Sequence, residues 1–95
     1  MTVEQLRMEL EKIISDLAST GFNNIDSGIV GKLEKFSTTA GELGMKEGKH
    51  LIENLIGIMK AIKEGKSKAE SGSIRLTALD YYVKKISGSG TIEDL

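Results

Sequence analysis

The sequence predicts an all-α fold, an antiparallel up-down four-helix bundle, from three observations. Apolar residues recur in steps of three and four along four stretches of the chain, as they do on the buried face of a helix. Glycines separate these stretches, and proline is absent. No stretch sustains the alternation of a strand, and no Asn-Gly pair indicates a hairpin. Four amphipathic helices with short connections are typical of an up-down bundle.

The first predicted helix covers about residues 3–19 and begins with a capping box. Thr2 precedes the helix and Gln5 follows three residues later, so their side chains can satisfy two free backbone amides. Gly21 supplies the stop. The residues expected to face the core are Val3, Leu6, Leu10, Ile13 and Leu17.

The second predicted helix begins at a cap, Asn24 or Asp26, and Gly44 closes it. Its expected buried stripe consists of Ile25, Ile29, Leu33, Phe36, Ala40 and Leu43. Three glycines lie in its interior: Gly28, Gly31 and Gly41. Because glycine costs about 0.5–1 kcal/mol relative to alanine in an exposed helix, we expect a packed neighbour or a partner to approach closely there.

The third and fourth predicted helices complete the bundle. The third, about Lys46 to Glu64, has the widest apolar face and should contact two neighbours. Ser73 is the predicted cap of the fourth helix, and Gly88 ends it. The inward residues are Leu51, Ile52, Leu55, Ile56, Ile58, Met59 and Ile62 in the third helix and Ile74, Leu76, Leu79, Val83 and Ile86 in the fourth, with Tyr82 at the edge of the stripe and Tyr81 more exposed.

The bundle accounts for residues 1–88 as a single domain, and residues 89–95 are expected to be a flexible C-terminal tail. The net charge of −1 predicts no general attraction to nucleic acid or to a membrane surface. The absence of cysteine excludes disulfides and thiolate catalysis. No apolar run approaches the ~20 residues that span a bilayer, and the N-terminus is acidic where a signal peptide is basic. A cytoplasmic protein is therefore expected.

The stretch LEKFSTTAGELGM, residues 33–45, resembles the active helix of a bacterial histidine phosphotransfer (Hpt) domain. That helix has small residues on one face, reads roughly His-x-x-Lys-Gly and closes with Leu-Gly. Counting back from Leu43-Gly44 assigns Glu34 to the histidine position, and Ser37 and Thr38 to the lysine and glycine positions. The likeness covers roughly residues 25–87. It implies a four-helix bundle with a docking surface but without the phosphoacceptor.

Small side chains three and four positions from Glu34 leave its carboxylate in a shallow clearing of the helix surface. In an Hpt domain such a clearing lets a receiver domain bring its aspartate close. The predicted protein-binding residues are Gly31, Glu34, Lys35, Ser37, Thr38 and Gly41. The resemblance thus implies a non-catalytic module of two-component signalling that docks a response-regulator receiver domain or a histidine kinase. A solvated charged face around Lys35 is the plainer interpretation.

His50, the single histidine, is the other candidate, as the phosphoacceptor of a phosphorelay. Glu53 and Asn54 occupy the positions where the Hpt family has lysine and glycine. One histidine with scattered carboxylates falls short of three ligands, so we expect neither a metal nor a cofactor. The pair Gly28 and Gly31 lacks the Lys-Ser/Thr continuation of a phosphate loop.

Two further interpretations stay open. In one, the chain is a homodimer or a subunit of a structural assembly, and the glycines of the second helix form the contact between helices. In the other, the chain is an excised domain, and residues 87–95 begin a linker. Several lysines near Tyr81 are typical of soluble helix ends, so no nucleic-acid or membrane partner is expected.

Overall fold

The computed structural model describes residues 1–23 and 25–88 of the 95-residue chain. They form four α-helices and no strand, which confirms the predicted all-α four-helix bundle. The helices are α1 (Val3–Thr20), α2 (Ser27–Glu42), α3 (Lys46–Lys63) and α4 (Ala69–Gly88). In this part of the chain no helix has both the length and the apolar content that a bilayer crossing requires. The predicted tail and the alternative cap Asn24 lie outside the described residues.

Capping chemistry explains where α1 and α2 begin. The backbone amide of Gln5 donates to Thr2 Oγ1 at 3.1 Å, and the backbone amide of Thr2 donates to Gln5 Oε1 at 2.9 Å. These two hydrogen bonds confirm the predicted capping box. Asp26 caps α2, since its Oδ1 accepts a hydrogen bond from the Gly28 amide at 2.9 Å. Asp26 is therefore the cap that the structure selects from the two predicted for this helix.

The four helices enclose one apolar core. The largest side chains within it, all fully buried, are Leu6, Leu10, Leu17, Leu33, Ile52, Leu55, Met59, Leu79 and Val83. The prediction that Val3 and Ile74 lie in the core is wrong, because Val3 is 43% exposed and Ile74 is 67% exposed. Val3 is the first residue of α1 and has no preceding helical turn beside it. Ile74 lies two positions before the buried Leu76, about 200° around the helix, so the two cannot face the same way.

The predicted start of α4 is also wrong, because the helix begins at Ala69 rather than after a cap at Ser73. The physical reason lies in Gly72, which reads as a helix break in the sequence but is buried in the structure. A Cβ atom at Gly72 would lie 2.8 Å from Cγ and Cδ1 of Phe22, whose ring is only 3% exposed. Packing against Phe22 thus carries the helix through a residue of low helix propensity.

Each helix contacts the one before it and the one after it in a closed ring, with α4 returning to α1. The diagonal pairs, α1 with α3 and α2 with α4, make no close backbone contact within the described residues. Glu34 of α2 pairs with Lys60 of α3. Gly41, further along α2, lies against Lys49, nearer the start of α3, so these two helices run antiparallel. The up-down order of all four helices stays a prediction.

We expect Gly72→Ala to lower the free energy of unfolding by about 1–2 kcal/mol. The added methyl group overpacks the core at Phe22, and this cost exceeds the gain in helix propensity. Urea unfolding followed by circular dichroism measures the change. An unchanged or higher free energy of unfolding would contradict the close packing at this position.

Gly57 offers a matched control for that substitution. It lies within α3, is exposed, and has nothing within 4 Å of the position that a Cβ atom would occupy. Gly57→Ala should therefore raise the free energy of unfolding by about 0.5–1 kcal/mol, because only the helix propensity changes. The two glycine substitutions should thus have opposite signs.

Candidate docking site

The surface between α2 and α3 holds most of the predicted docking residues. We call it the α2–α3 groove, and it consists of two adjoining hollows. The first, of about 490 Å³, is lined by Ser27, Val30, Gly31, Glu34, Lys60, Lys63 and Glu64. The second, of about 300 Å³, is lined by Glu34, Ser37, Thr38, Lys49, Glu53 and Ile56. Glu34 lines both hollows, so it stands at the centre of the groove.

Glu34 forms an ion pair across the groove. Its Oε2 accepts from Lys60 Nζ at 3.1 Å, and the two side chains are 53% and 54% exposed. Because water screens a pair this exposed, the pair contributes little to stability. The carboxylate is therefore compensated in charge and stays accessible from solvent.

Ser37 is buried, in contrast to its predicted place on the exposed face of α2. It lies four positions after Leu33 and three before Ala40, both fully buried, so it continues the flank of the core stripe beside α3. Its Oγ donates to Glu53 Oε2 at 3.2 Å. Ser37 thus links α2 to α3 by a hydrogen bond on the buried side of the groove.

One carboxylate oxygen of Glu53 accepts hydrogen bonds from a side chain of α2 and from a side chain of α3. Lys49 Nζ lies 2.6 Å from the same Oε2 atom that Ser37 contacts. The hydrogen bond from Lys49 holds the pKa of Glu53 below its ordinary value, partial desolvation opposes this, and the Ser37 hydroxyl adds to the lowering. Glu53 is therefore ionised at neutral pH, and Lys49 balances its charge.

Small residues keep the α2 wall of the groove low. A Cβ atom at Gly31 would meet nothing within 4 Å, so this position is open to an approaching surface. Thr38 is exposed, and its hydroxyl donates to the Glu34 carbonyl at 3.3 Å. Gly41 accommodates the stem of Lys49, whose Cδ and Cε would lie 3.2 Å from a Cβ atom there.

Three predicted candidates line neither hollow of the groove: Lys35, Gly41 and His50. All three are exposed. His50 lies in the second turn of α3, and its electrostatic effect is the weakest of the causes that lower the pKa of Glu53. Among the described residues, no three histidine or carboxylate side chains come together as metal ligands.

The predicted site residues did not include the three that form ion pairs within the groove: Lys49, Glu53 and Lys60. Two signals in the sequence point to them together. Lys49 and Glu53 have the four-residue spacing of an ion pair on a helix. The short link between α2 and α3 makes these helices antiparallel neighbours, which brings the middle of α2 opposite the second half of α3.

We expect Glu53→Gln to make the stability of the fold less dependent on pH in the acid range. The pKa of Glu53 is lower in the folded than in the unfolded chain. Ionised Glu53 therefore stabilises the fold above the unfolded-state value of about 4.5, and this contribution is lost as pH falls through the folded-state value. Urea unfolding at about pH 7 and about pH 3 compares the variant with the wild type.

The difference between the two proteins in free energy of unfolding should shrink at the lower pH. Glu42→Gln is the control, because Glu42 is exposed and forms no ion pair among the described residues. A difference for Glu53→Gln that stays constant with pH would show that its ion pair does not couple to folding.

No family model matches the chain, and neither a curated protein nor a solved structure matches it.

Proposed function

We propose that the chain is a non-catalytic protein-interaction module that docks a receiver domain or a histidine kinase through the α2–α3 groove. The observation that carries the proposal is the position of Glu34. It takes the histidine position of the Hpt resemblance, and its half-exposed side chain stands at the centre of the groove. Glutamate presents a negative charge there but cannot carry a stable phosphoryl group, so the module binds without accepting phosphate.

The walls of the groove support contact with a protein surface. Gly31 and Thr38 offer a low wall that lets a partner approach the α2 backbone closely. Lys60 balances the charge of Glu34, so a partner with an acidic surface is not repelled by an isolated carboxylate. Lys63 lines the same hollow and forms no ion pair among the described residues, which makes it available to such a partner.

The proposal has two consequences for the biology of the chain. A competitive or scaffolding module acts by occupying the docking surface of its partner, so it needs no cofactor and no catalytic residue. Receiver domains and kinase cores work in the cytoplasm, so the proposal implies a cytoplasmic location in a bacterial signalling system. We expect the affinity of docking to depend on whether the partner is phosphorylated.

An NMR titration tests the proposal. The ¹⁵N-labelled chain is titrated with receiver domains from its own genome, with and without beryllofluoride to mimic their phosphorylated state. Amide shifts should cluster on Gly31, Glu34 and Thr38. Shifts that cluster elsewhere, or no shifts with any receiver or kinase core, would contradict docking at the groove.

Arginine substitutions on the low wall should abolish docking. We expect Gly31→Arg and Thr38→Arg each to weaken binding more than about tenfold, because a long charged side chain holds the partner away from α2. Ser15→Arg is the matched control, since Ser15 is exposed on α1 and lies outside the groove. Binding that survives both groove substitutions would refute the proposed surface.

Phosphotransfer through His50 is the alternative function, and one assay distinguishes it from docking without transfer. A phosphorylated receiver domain is mixed with the chain, and acid-labile phosphate on the chain is measured. Docking without transfer predicts none, in the wild type and in His50→Ala alike. Acid-labile phosphate that is present in the wild type and absent in His50→Ala would contradict the docking proposal and would identify the chain as a phosphotransfer protein.

A further inference from the structure

The outer face of α4 carries two large apolar side chains. Ile74 is 67% exposed and Tyr81 is 74% exposed, more than any other large apolar side chain among the described residues. They lie seven positions apart, two turns of the helix, so they project from the same face. The small exposed residues Thr77 and Ala78 lie between them.

α4 is the least amphipathic of the four helices for this reason. Leu76, Leu79 and Val83 point into the core, and Ile74 and Tyr81 point the opposite way. The outer face of a surface helix is typically polar, so an apolar stripe along it is a candidate contact surface.

The two ends of the stripe carry opposite charges. Glu70 lies one turn before Ile74, and Lys85 lies one turn after Tyr81. Both charged side chains are exposed, and neither forms an ion pair among the described residues. The stripe therefore reads acidic, apolar, small, apolar and basic along α4.

This order is complementary to itself when the helix is reversed. If two copies of α4 cross antiparallel at Thr77 and Ala78, Ile74 of one copy faces Tyr81 of the other. Glu70 then faces Lys85 of the second copy, twice by symmetry. The small residues at the crossing allow the two backbones to approach closely. A parallel arrangement would instead set like charges against each other at both ends.

We propose that the outer face of α4 is a self-association surface, through which two copies of the chain form an antiparallel α4–α4 dimer. Both copies use the same patch, as a two-fold symmetric interface requires. One helix face is small compared with the ~1,600 Å² of a standard interface, so the dimer is weak and depends on concentration. The proposal is independent of the proposed function.

The proposed α4–α4 contact uses none of the residues that line the α2–α3 groove. α2 and α4 are diagonal in the ring, and they make no close backbone contact within the described residues. A dimer through α4 would therefore present two grooves at once. Such a dimer binds a dimeric or tethered partner more tightly than either copy alone.

Sedimentation equilibrium over about 10 µM to about 1 mM tests self-association. The average mass of the wild type should rise toward that of a dimer across this range. Tyr81→Glu and Ile74→Glu should stay monomeric, and circular dichroism should show both folded because both positions are exposed. Met8→Glu is the control, since Met8 is a 48% exposed apolar residue of α1, and it should associate like the wild type.

Charge reversal tests the antiparallel register. Glu70→Lys and Lys85→Glu should each weaken self-association about tenfold, because each turns two attractive contacts into repulsive ones. An equal mixture of the two variants should associate again as a heterodimer, because every facing pair is then opposite in charge. A wild type that is monomeric at every concentration, association that persists in Tyr81→Glu, or a mixture that stays monomeric would overturn the proposal.

Discussion

Burial of one face of α3 between α2 and α4 is the constraint on which the rest of the structure depends. Ile52, Leu55 and Met59 are fully buried, and burial of each such side chain contributes about 1.5–3 kcal/mol. A chain of 95 residues has little apolar area to spare, so this contact sets how α3 is rotated and aligned. With that rotation fixed, the polar side chains Lys49, Glu53 and Lys60 of α3 lie beside α2.

The groove follows from that alignment rather than from its own polar contacts. The ion pair of Glu34 with Lys60 and that of Lys49 with Glu53 are both well exposed, and exposed pairs contribute little to stability. A surface that the core positions but does not depend on can exchange its contacts for those of a partner. Ser37 is the exception, since it is buried and its hydroxyl joins α2 to α3.

α4 closes the core with one face and carries exposed apolar side chains on the other. Its inner residues close the core, and the packing of Gly72 on Phe22 lets the helix begin one turn before its predicted cap. Its outer residues Ile74 and Tyr81 take no part in the core. The groove and the outer face of α4 involve different helices, so the proposed partner and the proposed second copy would not compete for the same residues.

The sequence by itself determined the helical class, the capping box of α1 and the glycine stops, but it left two candidate caps for α2 and misplaced the start of α4. Thr2 and Gly44 act through backbone groups within a few residues of themselves, so local sequence is sufficient to place them. It also determined most of the core, because helical periodicity selects a face. Tertiary structure decided the burial of Ser37 and the pairing of Glu34, since each depends on the rotation of α2 against a helix that is distant in sequence.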